Sequence, residues 1–197
     1  MGRRALLVAV LLAASALACT TTVPLRYQPV AGYQPPNPPT PLISIGELHN
    51  ERPEHGSDWL GAIRGGFGNR LKTLRLEQPV VSVVGDAFAD GLRARNLYAE
   101  PGQGKYVLEG TIVKLDCSEY FNLEAHAHLD LRLLDAATRV EVFSSPFRVD
   151  QTEAGLGAGI FGSVETLRVL AERTLRELVD RALDDPGLRK SLQQQQP

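Results

Sequence analysis

Phe121-Asn122-Leu123-Glu124-Ala125-His126-Ala127-His128-Leu129-Asp130-Leu131-Arg132-Leu133 alternates between apolar and polar side chains without a break. A period of two belongs to a strand. Phe121, Leu123, Ala125, Ala127, Leu129, Leu131 and Leu133 should therefore point one way and Asn122, Glu124, His126, His128, Asp130 and Arg132 the other. One face is then core and the other wet, as in an antiparallel sheet covered on a single side. Tyr106 to Asp116 and Arg139 to Val149 alternate too, and the connections are short and polar, so the three strands should form an antiparallel meander.

Amphipathic helices flank this meander. From Pro79 to Arg95, Val80, Val83, Val84, Ala87, Phe88, Gly91 and Leu92 recur at helical spacing, with Pro79 suited to the first turn, Arg93 and Arg95 to the negative end of the dipole, and Asn96 to termination. Ser163 is a good N-cap for Val164 to Leu183, where Leu167, Leu170, Ala171, Thr174, Leu175, Leu178, Val179 and Ala182 form one stripe. Glu172 with Arg176 and Glu177 with Arg181 stand four apart on its outer side. Upstream, Leu42 to Leu48 alternates like a half-buried strand. His49 to Asp58 and the glycine-bearing stretch Trp59 to Asn69 read as loops, followed by a short apolar patch at Leu71, Leu74 and Leu76. The expectation is one α+β domain over residues 42–188: a small, mostly antiparallel sheet of about four strands, with two amphipathic helices on one face. Pro186-Gly187 should end it, leaving residues 189–197 as a disordered tail.

The amino terminus carries a different signal. Arg3 and Arg4 precede the apolar run Ala5 to Ala18, which is of export-signal length and too short to span a bilayer. The run ends in Ser15-Ala16-Leu17-Ala18-Cys19, which resembles the bacterial lipobox although Ala16 stands where leucine is most frequent. By that resemblance residues 1–18 are a signal peptide, and Cys19 becomes the first residue, carrying diacylglycerol on its sulfur and an acyl chain such as palmitate on its amino group. Thr20 rather than aspartate follows, which points to the periplasmic face of the outer membrane rather than to the inner membrane. Seven of the thirteen prolines fall between Thr20 and Pro41. Residues 19–41 accordingly read as an extended tether, with Tyr27 and Tyr33 as incidental linker residues.

Composition is that of an ordinary globular domain, 43% hydrophobic and 22% charged. The formal net charge of −2 becomes more negative once Arg3 and Arg4 are removed, so no basic patch recruits nucleic acid. With Cys19 lipidated, Cys117 has no partner within the chain and reads as a partly buried thiol, the sharper alternative being an intermolecular disulfide. Gly157-Ala158-Gly159-Ile160-Phe161-Gly162 matches the glycine fingerprint of dinucleotide-binding turns, but a nucleotide fold needs a second parallel strand after the helix, and none is expected here. These glycines suit a crossing loop on which Ile160 and Phe161 could touch a partner or membrane. His126 and His128 share a strand face with Glu124 and Asp130, a weak candidate for a metal site. No nucleophile elbow is present, His49 and His55 sit in an acidic loop, and neither catalysis nor a cofactor is expected.

The order strand, loop, helix, meander, helix behind a lipobox resembles the YajG-like family of bacterial lipoproteins. Ile43-Ser44-Ile45-Gly46-Glu47-Leu48-His49-Asn50-Glu51-Arg52 is similar to that family's first strand and Asp-x-Arg turn, with Asn50 in place of aspartate. Leu60-Gly61-Ala62-Ile63-Arg64-Gly65-Gly66-Phe67-Gly68 is similar to its Leu-Gly and Arg-x-Gly-x-Gly loop. The resemblance implies a fold and a location in the envelope, with the membrane and an envelope protein as partners. A related architecture occurs in auxiliary lipoproteins of ABC-type envelope transport systems, which raises the alternative of binding a lipid-like ligand or a transporter partner between sheet and helices.

Overall fold

A computed structural model of the chain describes residues 19–29, 42–53, 56–155 and 163–193. The meander is its frame: β5 (Tyr106–Glu119), β6 (Asn122–Asp135) and β7 (Glu141–Ala154) pair antiparallel along almost their whole lengths. Leu123, Ala125, Ala127, Leu129, Leu131 and Leu133 are buried, as the alternation requires. Phe121 departs from the pattern. It falls in the turn before β6 and is exposed, because the strand begins one residue later.

The sheet is larger than the expected four strands. Among the described residues it has seven, in the order β1-β4-β3-β5-β6-β7, with β2 also paired to β5. β2 (Ile43–Asn50) is the strand expected from Leu42 to Leu48, and the three additional strands are β1 (Cys19–Val23), β3 (Trp59–Arg64) and β4 (Arg70–Leu76). The stretch read as a glycine loop thus contains β3, and the short apolar patch after it is β4, joined to β3 through a tight turn at Gly65 to Asn69. Glycine is a breaker in most strands, but Gly61 is a point of close approach. A Cβ at that position would lie 2.0 Å from the carbonyl oxygen of Cys117 on β5, so only glycine lets the two backbones pair.

β6 covers one side of β5, so β2 and β3 share the other. β2 pairs parallel with Tyr106 to Ile112, and β3 pairs parallel with Cys117 to Glu119. Arg52 fills the gap between them. It is buried, and its guanidinium donates to the carbonyls of Trp59 (2.8 Å) and Leu115 (2.7 Å), while Asn50 Oδ1 accepts from its Nε at 3.0 Å. The Asn50-x-Arg52 turn therefore has a structural task, in which the asparagine amide oxygen orients the guanidinium.

Helix α1 (Val80–Ala94) packs on β2, and α2 (Val164–Leu183) lies across β5, β6 and β7. Their apolar faces close the core around Ile43, Phe88, Leu92, Leu108, Leu131 and Leu175. Asn96 ends α1 in the left-handed region, φ 54°, and the Ser163 hydroxyl accepts from the amide of Thr166 at the start of α2. Of the two expected outer pairs, Glu177 meets Arg181, whereas Glu172 pairs with Arg168 at 2.5 Å. Pro186-Gly187 does not end the domain. It opens helix α3 (Pro186–Gln193), whose Leu188 and Leu192 are buried and whose Ser191 hydroxyl donates to the carbonyl of Val142 on β7.

The tether reading also requires correction. Cys19 to Val23 pair in parallel with Lys72 to Leu76, and Val23, Leu25 and Tyr27 alternate into the core. The Tyr27 hydroxyl donates to Asp180 at 2.7 Å beside buried Arg95, which also engages Asp184 through two hydrogen bonds, 3.1 and 2.8 Å. Burial raises the Asp184 carboxyl, but hydrogen bonds from Arg95 and Arg189 outweigh it and hold the group below the usual carboxylate range. Prolines mislead here because Pro24 can sit between inward-facing residues at a sheet edge, where no ladder amide is needed. Residues 30–41 lie outside the described residues. They connect two packed parts of the domain, so they cannot space it from an anchor at Cys19.

Candidate functional site

The register of the sheet places Cys19 in a transverse row. Cys19 pairs with Lys72, Lys72 with Ile63, Ile63 with Glu119, Glu119 with Leu123, and Leu123 with Glu153. Three strand spacings separate Cys19 from Glu119, about 14 Å. Beyond this row, at the same end of the sheet, lie the β3–β4 turn and the β5–β6 turn. The Tyr120 hydroxyl donates to the carbonyl of Gly66 at 2.9 Å, which ties the two turns together.

This end of the sheet is unusually apolar at its tips. Phe67 is 101% exposed and Phe121 61%, with the Tyr120 and Phe121 rings 4.1 Å apart. Arg64, Arg70 and Lys72 flank them, and Arg64 also donates to the carbonyl of Gly68. Glu119 has a buried Oε2 without a hydrogen-bond partner. Burial pushes its carboxyl up, an effect the charge of Lys72 offsets only in part. Exposed phenylalanines beside cationic side chains make a surface suited to a bilayer interface: rings for the acyl boundary and charges for anionic headgroups.

The sequence candidates are distributed as follows. Cys19 is exposed at the start of β1, and Cys117 is buried with its thiol pushed up by desolvation and by nearby Asp116. That burial removes the intermolecular disulfide. His55, and Ile160 and Phe161 with the glycine fingerprint, lie outside the described residues; the described flanks of the glycine loop are Gly155 and Ser163, and Gly155 packs against the Phe121 carbonyl at the Cys19 end. The only described element beyond α2 is α3, a helix, so no parallel strand completes a nucleotide fold among the described residues.

His126 and His128 do share a face, but their companions are not Glu124 and Asp130. Asp130 is engaged by Arg148 at 2.5 Å. The third member is Asp150 on β7, directly opposite His126. Its Oδ1 lies 2.5 Å from His126 Nδ1 and 2.8 Å from His128 Nε2. Burial raises the Asp150 carboxyl, yet the hydrogen bonds from the two imidazoles outweigh this and lower it. The alternation of β6 signals the shared histidine face, but counting outwards across the Asp135 to Val140 turn would pair His126 with Val149; a register shift between Leu133 and Leu134 brings Asp150 opposite it instead. Phe67 carried no such signal, since a lone aromatic in a glycine turn has no periodicity to place it.

No protein-family model matches the sequence, and no curated protein does. Solved structures show the fold. The protein XCC0632 from Xanthomonas campestris, described by the family DUF330, superposes with a TM-score of 0.64 at 13% identity, over 89% of this chain and all of that one. A candidate lipoprotein from Caulobacter crescentus reaches a TM-score of 0.40 at 18% identity over 55% of this chain and 78% of its own. Lipoprotein GNA1162 from Neisseria meningitidis reaches 0.30 at 12% identity over 73% and 99%. What this chain has in common with the Xanthomonas protein is its fold.

Proposed function

We propose that the chain is a lipid-anchored lipoprotein of the bacterial envelope, similar to the YajG-like proteins. It is held edge-on against the membrane by acyl chains on Cys19 and acts through contact with an envelope protein rather than by catalysis. The observation that carries this reading is the position of Cys19. The residue that ends the export signal opens a sheet strand and stands in one row with the base of two exposed phenylalanine turns. Residues 1–18 are the signal peptide of this reading, and Thr20 favours the periplasmic face of the outer membrane.

The test is replacement of Cys19 in cells fed labelled palmitate. Wild-type chain should incorporate label and sediment with outer membranes; Cys19→Ser should lose the label, accumulate as precursor and leave the folded domain intact. Undiminished labelling in the variant would sink the anchor.

A second reading, an accessory of an ABC-type transport system, is favoured in one of its two forms. The described residues pack solidly between sheet and helices. A groove of about 380 Å³ beside α1, with Asp86, Asp90 and Arg93 in its wall, is polar and open rather than apolar. A lipid-like ligand has little to enclose it there. Contact with a transporter partner is the form that suits this surface, and crosslinking in intact envelopes separates it from other partners.

A further inference from the structure

We infer that His126, His128 and Asp150 form a three-ligand site for a divalent transition-metal ion of the zinc class, on the sheet face opposite the helices. Two residues apart on β6, the histidines must present their rings on the same face. The β6–β7 ladder then fixes Asp150 beside them, because His126 and Asp150 are a direct cross-strand pair. The potential ligand atoms of all three lie within 4.8 Å of one another. β6 is hydrogen-bonded along both sides and holds the two histidines on fixed backbone, while Asp150 stands on the edge strand β7, paired to β6.

The donor set selects the ion. Two imidazole nitrogens and one carboxylate oxygen suit zinc, nickel or copper, whereas magnesium and calcium prefer all-oxygen shells. Tetrahedral ligand atoms around zinc are about 3.3 Å apart, from bonds of about 2.0 to 2.1 Å. The present nitrogen to oxygen separations of 2.5 and 2.8 Å open to that value by small side-chain rotations. The surrounding charges permit an ion. Arg148, opposite His128, is turned to Asp130 and to the carbonyls of Leu129 and Phe147. Lys114 has Asp116 as a neighbour at 4.0 Å, and Asp116 adds an acidic group across from His126 on β5. Both histidine side chains are 21% exposed and Asp150 54%, which leaves the fourth coordination position open to water or to a side chain of a docked protein.

The test uses the full chain in detergent, stripped with a chelator and titrated calorimetrically with zinc chloride, then with magnesium chloride. One zinc per chain should bind, and magnesium should not compete. His126→Ala, His128→Ala and Asp150→Asn should each weaken zinc at least tenfold, while His49→Ala, on β2, should leave it unchanged. Cobalt(II) should give an intense visible spectrum in the wild type that weakens in each site variant. Circular dichroism checks that the variants fold, and Asp150→Asn preserves side-chain volume where an alanine change fails to. Zinc affinity unaltered in folded Asp150→Asn and His128→Ala, or no stoichiometric zinc in the wild type, would overturn the site.

Discussion

At the scale of single residues, Arg52 shows how a surface-type side chain becomes part of a fold. β5 is served on one side by two strands, and where they part the Leu115 and Trp59 carbonyls need donors. A planar guanidinium reaches both at once, which an ammonium on a flexible stem does not. Arg52→Ala should therefore lower the free energy of unfolding by about 2 to 4 kcal/mol in urea titration, since a buried acceptor left unpaired costs about 1 to 3 kcal/mol; Arg52→Lys should recover only part. An Arg52→Ala loss below half a kilocalorie would refute the bridging role. The motif was legible in the sequence, but its purpose was not, because the carbonyls it satisfies lie 7 and 63 residues away.

At the scale of elements, legibility followed periodicity. β6, α1 and α2 were readable to within a residue or two, each having a long amphipathic pattern and, for α2, a serine cap. β1, β3, β4 and α3 were not, for a common reason: each is short, and proline or glycine at its border overrode a weak pattern. Leu188 and Leu192, four apart, are the signal that α3 offered, and Asp185 accepts from the amides of Gly187 and Leu188 at its start. α3 packs on β7 through Leu188, which is 1% exposed. Leu188→Ala should cost about 2 to 5 kcal/mol, the range for emptying a core leucine site, read as a lower denaturation midpoint. A surface tail would show no change. The metal-type cluster divides in the same way: two histidines are legible on one strand, while their carboxylate comes from a register that only a folded hairpin reveals.

At the scale of the whole molecule, Cys19, Phe67 and Phe121 belong to three separate segments and meet at one end of the sheet. Phe67→Ser with Phe121→Ser should leave the melting temperature nearly unchanged, since both rings are exposed, yet reduce binding of the unlipidated Cys19→Ser chain to anionic vesicles several-fold. Equal binding before and after the change would remove the phenylalanines from the membrane contact. Lys72→Gln, in the same background, should weaken binding in low salt and less in high salt. The opposite end of the meander is the Asp135 to Val140 turn. β5, β6 and β7 each run 14 residues, and a strand advances about 3.3 Å per residue, so that turn stands at most about 45 Å from the end at which Cys19 lies. In the proposed arrangement, with the domain seated directly on its lipid, this length would be its height above the headgroups and would set how far from the membrane the protein itself can reach.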